Sequence, residues 1–141
     1  MTQEKELLLK DLCARLRYGV MINYPLWDEE RYNARLTGIS EDGLVTLDVP
    51  ADVVFDIQKD DLKPCLRPMS SMTEEEKIYV TQFEINNLGP IGFNWNLLVS
   101  NSYELIDWLN AHHFDYRGLI EKGLALEAPE GMYNIKTKKY D

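Results

Sequence analysis

Over residues 20–67 the apolar pattern changes to a period of two, broken by turns, and that period commits the stretch to an antiparallel barrel or strongly bent sheet packed on the first helix. Val20, Ile22 and Tyr24 alternate with Met21 and Asn23, as a half-buried strand requires. Pro25-Leu26-Trp27-Asp28-Glu29-Glu30 interrupts the run, and a second strand is expected over 32–39. Ser40-Glu41-Asp42-Gly43 carries the Asp-Gly signal of a tight hairpin. A third strand follows over 44–49, with Val45, Leu47 and Val49 on one face, and a fourth over 53–57 after Pro50 and Asp52. A last strand at 65–67 sits between Pro64 and Pro68, which lack ladder donors, so it should be short or lie at an edge.

A helix is expected over 3–17, because Leu8, Leu12 and Leu16 lie four apart, flanked by Leu9 and Cys13. Cys13 then reads as a small core hydrophobe. Glu6 and Lys10, and Asp11 and Arg15, form acid-before-base pairs at i,i+4, each contributing a few tenths of a kcal/mol. Gly19 ends the helix.

After a connector at 69–72, Thr73-Glu74-Glu75-Glu76 has the form of a capping box opening a helix to about Asn86. Residues 87–101 mix breakers with large apolar side chains, so 97–99 are expected to be buried in a short strand or helical turn. Ser102 can cap another helix through His112, with Ile106 and Leu109 inward, and Asp115 a short helix ending at Gly123. Residues 124–128 and 132–135, joined by Pro129-Glu130-Gly131, read as a closing hairpin, and the tail after it as frayed. The expected fold is α+β: an N-terminal helix, a small SH3-like or Sm-like antiparallel barrel, and a helical C-terminal half closed by a hairpin. The two halves, 1–68 and 69–141, are expected to pack as one unit.

Three stretches together resemble a known group. They are residues 9–20 (LKDLCARLRYGV), 62–76 (LKPCLRPMSSMTEEE) and 108–125 (WLNAHHFDYRGLIEKGLA), the last being the most specific. The chain resembles a group of short uncharacterised proteins encoded by gut anaerobic bacteria and their prophages and other mobile elements. In that group a proline often stands at the position of Arg17 and a tyrosine at that of Cys65, so the resemblance gives Cys65 no special role. It implies a prokaryotic or phage cytosolic setting and assigns no activity.

Charge narrows the partners. The chain has 15 basic and 24 acidic side chains, a net −9. Residues 1–70 hold 9 and 13 of them (−4), and residues 71–141 hold 6 and 11 (−5). Neither half has the basic footprint that phosphate neutralisation needs. An apolar content of 45% and an aromatic content of 11% agree with an ordinary folded core. The charged start, Met1-Thr2-Gln3-Glu4-Lys5-Glu6, leads into no long apolar run, so a signal peptide is not expected. No run approaches the ~20 apolar residues of a membrane helix. A cytoplasmic location is the default expectation.

The chemistry-bearing motifs are few. His112 and His113 point about 100° apart on a helix and cannot easily share one ion. The plainer reading has one of them capping the helix C-terminus while the other packs. A Cys65 nucleophile with His112 or His113 as base is a minor alternative, since no family signature surrounds Cys65. Gly89-Pro90-Ile91-Gly92 has the wrong spacing for a phosphate or dinucleotide loop. No catalytic, metal or cofactor-binding residue is therefore assigned, and no cofactor is expected. The aromatic set Phe93, Trp95, Tyr103 and Trp108 is denser than its surroundings. Core packing is one reading of it, and a partner-binding patch of Phe93, Trp95 and Tyr103 is the other. The expected function is a non-enzymatic protein-interaction or accessory module with a protein partner. The alternative is nucleic-acid binding through an Sm-like barrel, or through a winged-helix arrangement from Ser102 to Ile135 with 115–122 as recognition helix. That helix would offer Arg117 and Lys122 against Asp115 and Glu121, which is poor equipment for a phosphate backbone.

Overall fold

The computed structural model describes residues 1–27, 30–50, 53–88 and 95–133. Helix α1 spans Gln3–Arg15 and is capped by Thr2, whose hydroxyl accepts from the Lys5 amide at 3.1 Å. A 3-10 turn, Leu16–Tyr18, ends on Gly19 in the left-handed region. Leu8 and Leu12 face the core as their spacing requires, together with Asp11 and Arg15. Cys13 is exposed, in contrast to its expected place in the core, because the buried stripe turns through Arg15 instead of Cys13.

Five strands follow: β1 Met21–Pro25, β2 Arg31–Ile39, β3 Leu44–Leu47, β4 Val54–Asp56 and β5 Lys63–Leu66. Consecutive strands β1 to β4 pair antiparallel, and β5 returns to the other side of β1. A sixth strand, β6 Leu126–Glu127, joins β5 in parallel, so the order is β4-β3-β2-β1-β5-β6. The fold is thus α+β with a six-stranded mixed sheet that is not closed into a barrel. At one edge the outward amide of Asp56 is taken by the Asp60 carboxylate at 2.7 Å, which blunts β4 against further pairing.

β5 is short, as expected, and it lies inside the sheet despite Pro64. Leu66 bonds toward β6 and Pro64 faces the same side, so the ladder to β1 loses no donor; there the Tyr133 hydroxyl accepts from the Met21 amide at 3.0 Å and donates to the Cys65 carbonyl, forming a rung beside the Ile22–Pro64 pair. The expected closing hairpin of 124–128 with 132–135 is corrected. Leu126 and Glu127 pair with β5, and Met132 lies in a turn closed onto Pro129, with residues beyond 133 outside the described set.

The core is continuous from α1 through the sheet. Leu8 and Leu12 meet Val20, Ile22, Leu36, Val45, Ile57, Leu62 and Leu66, and Leu119 closes it from the C-terminal side. Helix α2 spans Glu74–Leu88 and α3 spans Trp95–Ala111, packed on each other as a hairpin. α3 begins well before Ser102, so that serine is interior to the helix, and 97–99 are helical. Residues 115–122, expected as a short helix, instead form hydrogen-bonded turns. Asp115 accepts from the Leu119 and Ile120 amides at 2.8 and 2.9 Å, and Gly123 at φ 75° closes the turn. No helix among the described residues is long and apolar enough to cross a membrane.

Candidate functional site: the α2–α3 hairpin and its anchor

The hairpin is fastened to the sheet at its base. The expected capping box is present: the Glu76 amide donates to Thr73 Oγ1 at 3.2 Å, and the Thr73 amide to Glu76 Oε1 at 2.8 Å. The same carboxylate receives Arg67, just past the end of β5, through two bonds of 2.9 and 2.7 Å. Both side chains are buried, so the pair is a bidentate bridge shielded from solvent. Burial alone would raise the Glu76 carboxyl, but the Arg67 bonds and the Thr73 amide outweigh it and hold it below its ordinary range.

An aromatic column continues from that bridge. The Arg67 guanidinium lies 4.1 Å from the Phe114 ring centre. Trp108 stacks on Phe114 at 5.8 Å, on Tyr79 at 4.9 Å and on His112 at 4.2 Å. Trp108 is therefore a packing residue joining α2, α3 and the body. His112 Nδ1 sits 2.9 Å from the Trp108 carbonyl, at the helix C-terminus. His113 takes a left-handed conformation, φ 64°, just after α3, and its ring stacks on Tyr133 at 3.7 Å. The two imidazoles thus serve the helix end and the packing.

Above the anchor the hairpin presents apolar surface. Tyr103 is 70% exposed and Ile78 59%; Ile106, expected inward, is 38% exposed, while Leu109 is buried as expected. Of the expected partner-binding residues, Tyr103 is on this surface, Trp95 opens α3 with its side chain outside the described set, and Phe93 lies outside the described residues. The structure does not bring the three together as a described patch. One signal in the chain points to this region independently. Residues 85–103 contain no Asp, Glu, Lys or Arg, in a protein whose charged content is 28%. Depletion of charge with enrichment of aromatics is the compositional mark of an interface centre.

Other concave sites offer less. A groove of about 280 Å³ lined by Tyr24, Leu26, Val49, Pro50, Val53 and Phe55 falls just below the range of about 300–1,000 Å³ typical of ligand pockets. A cleft of about 380 Å³ runs between Arg67, Thr73 and Tyr133, where Arg67 is already committed to Glu76. Burial pushes the Cys65 thiol up to about 11, against a smaller opposing effect of Arg31, which makes it a poor nucleophile. Among the described residues no group of three or more His, Cys, Asp and Glu could hold a metal ion. Arg117, the main base of the expected recognition helix, is bonded to Asp11 at 3.1 Å. Compared with known proteins, the chain matches no family model, no curated protein and no solved structure.

Proposed function

We propose that this chain is a non-enzymatic protein-interaction module that offers the α2–α3 hairpin to a partner protein. The observation that carries the reading is the exposed apolar surface of α3, Tyr103 and Ile106, at the end of the charge-free stretch 85–103. Exposed large apolar groups next to a charge-depleted segment mark association surfaces. The bidentate Arg67–Glu76 bridge and the aromatic column support the reading by holding the base of the hairpin on the sheet. In this reading the strand half is an opened relative of SH3-like or Sm-like sheets that serves as scaffold. The setting is bacterial or phage cytoplasm, as the resemblance implies.

The test is affinity capture from the native host with nuclease treatment, comparing wild type with Tyr103→Asp/Ile106→Asp. Tyr103 is well exposed and Ile106 only partly, so circular dichroism and a thermal melt must show the variant folded at the capture temperature. A partner retained after nuclease by wild type and lost by the variant is the expected result. A partner kept by the variant, or lost with nuclease, would refute the reading.

A further inference from the structure

We infer that the cleft between the base of the hairpin and the turn after β6 binds a small organic amine: an ammonium head on an apolar body the size of one aromatic ring. The cleft's volume, about 380 Å³, lies within the range of about 300–1,000 Å³ typical of ligand pockets. Hydrogen bonds of the chain itself hold both walls. On the hairpin side a 3-10 turn, Met69–Ser71, is closed by the Ser71 amide and hydroxyl, which donate to the Pro68 carbonyl at 2.9 and 2.7 Å. On the β6 side the Ala128 amide donates to the Leu66 carbonyl at 2.7 Å, and the Met132 amide to the Pro129 carbonyl at 3.1 Å. The cavity is thus preformed, and no ligand energy goes into ordering its walls.

Charge selects the head of the ligand. The ionisable side chains of the lining with charge at neutral pH are Arg67, Glu127 and Glu130. Arg67 is spent: it donates to Glu76 through two bonds, and to the Ser71 and His112 carbonyls at 3.5 and 3.4 Å. Glu127 and Glu130 are exposed and form no hydrogen bond or ion pair among the described residues. The cleft therefore keeps two carboxylates without counter-charge, which repel an anion and attract a cation. Exposed carboxylates alone attract only weakly, so the body of the ligand must contribute. Pro68, Ala128, Pro129 and Tyr133 supply the surface for it. The Tyr133 hydroxyl is engaged with Met21 and Cys65, and one ring face with His113, so Tyr133 gives the cleft aromatic carbon. A bare metal ion would gain nothing from these walls, whereas an amine on a ring uses carbon and carboxylates together.

The full chain, labelled with nitrogen-15, is titrated at neutral pH and constant ionic strength with phenethylammonium, phenethyl alcohol, 3-phenylpropionate and methylammonium. Phenethylammonium should shift the Ser71, Thr73, Glu127, Ala128 and Gly131 amides saturably, and bind about fivefold or more tightly than the alcohol. The propionate and methylammonium should leave those amides unmoved at the same concentration. Glu127→Gln/Glu130→Gln, with unchanged circular dichroism, should bring the amine down to the affinity of the alcohol. Absence of saturable shifts at the cleft with millimolar phenethylammonium overturns the inference. So does an amine that binds no better than the alcohol, or a propionate that binds as well. A preference for the amine that survives the double variant overturns it too, because the net −9 of the whole chain would then account for the attraction. Methylammonium reproducing the shifts would show a counter-ion effect with no use for the walls, and would equally sink the site.

Discussion

Gly43 shows how much one position of the turn decides. It sits at φ 87°, and a Cβ built on it would stand 2.5 Å from Cγ2 of Ile57, a fully buried β-branched residue. Gly43→Ala therefore combines backbone strain with a clash that Ile57 cannot easily relieve. It should cost about 2–4 kcal/mol, read as a lower urea midpoint with unchanged m. Tyr133 is the second such residue. Its hydroxyl serves Met21 and Cys65 together, so Tyr133→Phe leaves a strand amide and a carbonyl without that partner. A loss of about 1–3 kcal/mol is expected, with faster exchange of the Met21 amide than of its β1 neighbours. The Asp42-Gly43 turn was legible in the chain because its chemistry is local. The role of Tyr133 was not, because its partners lie 112 and 68 residues away.

Among elements, the capping box of α2 is visible in sequence, while the second duty of Glu76 is not. Nothing in Thr73-Glu74-Glu75-Glu76 announces that Arg67 folds back onto the same carboxylate. Glu76→Gln keeps a capping side chain but leaves the buried guanidinium without its counter-charge, and should cost about 2–5 kcal/mol by thermal melt. The folded carboxyl is held below its unfolded value, so the stabilisation is present above the unfolded value and fades as pH falls through the folded one. Wild type should therefore lose its advantage over Glu76→Gln on acidification below about pH 4.5. α3 shows the opposite limit of sequence reading. Gly89, Pro90 and Gly92, with Asn94 and Asn96, drew its expected start to Ser102, yet an i,i+4 row of large residues carries the helix back to Trp95. The strands over 20–57 followed from their period, but period says nothing of closure. Closure depends on the edges, where Asp60 blunts β4 and β5 turns to β6.

For the whole molecule, alkali should act through two groups of one neighbourhood. Cys65 is held up at about 11 against an ordinary 9.0, chiefly by burial, and burial likewise raises Tyr133 above its ordinary 10.0. Below pH 9 both carry their protons in folded and unfolded chains alike. As pH rises beyond it the unfolded chain releases them first, so stability is lost. Melting temperature should fall progressively from pH 9 to 11, and Cys65→Ala should make that fall shallower. The Asp11–Arg15 pair, read from its i,i+4 spacing, is fully buried, and Asp11 also receives Arg117. Arg15 in turn donates to the Phe114 carbonyl at 2.7 Å. Those bonds join residues 106 and 99 positions apart, so the first helix cannot dock when it is made. At a synthesis rate of about 5–20 residues per second, Asp11 precedes Arg117 by roughly 5–20 s. During that interval Leu8 and Leu12 can meet the sheet made up to Leu66, but Asp11 and Arg15 lack Arg117 and the Phe114 carbonyl, so a nascent chain arrested before Phe114 would hold α1 loosely, in reach of chaperones and proteases. The bonds formed last decide when the first-made segment becomes safe.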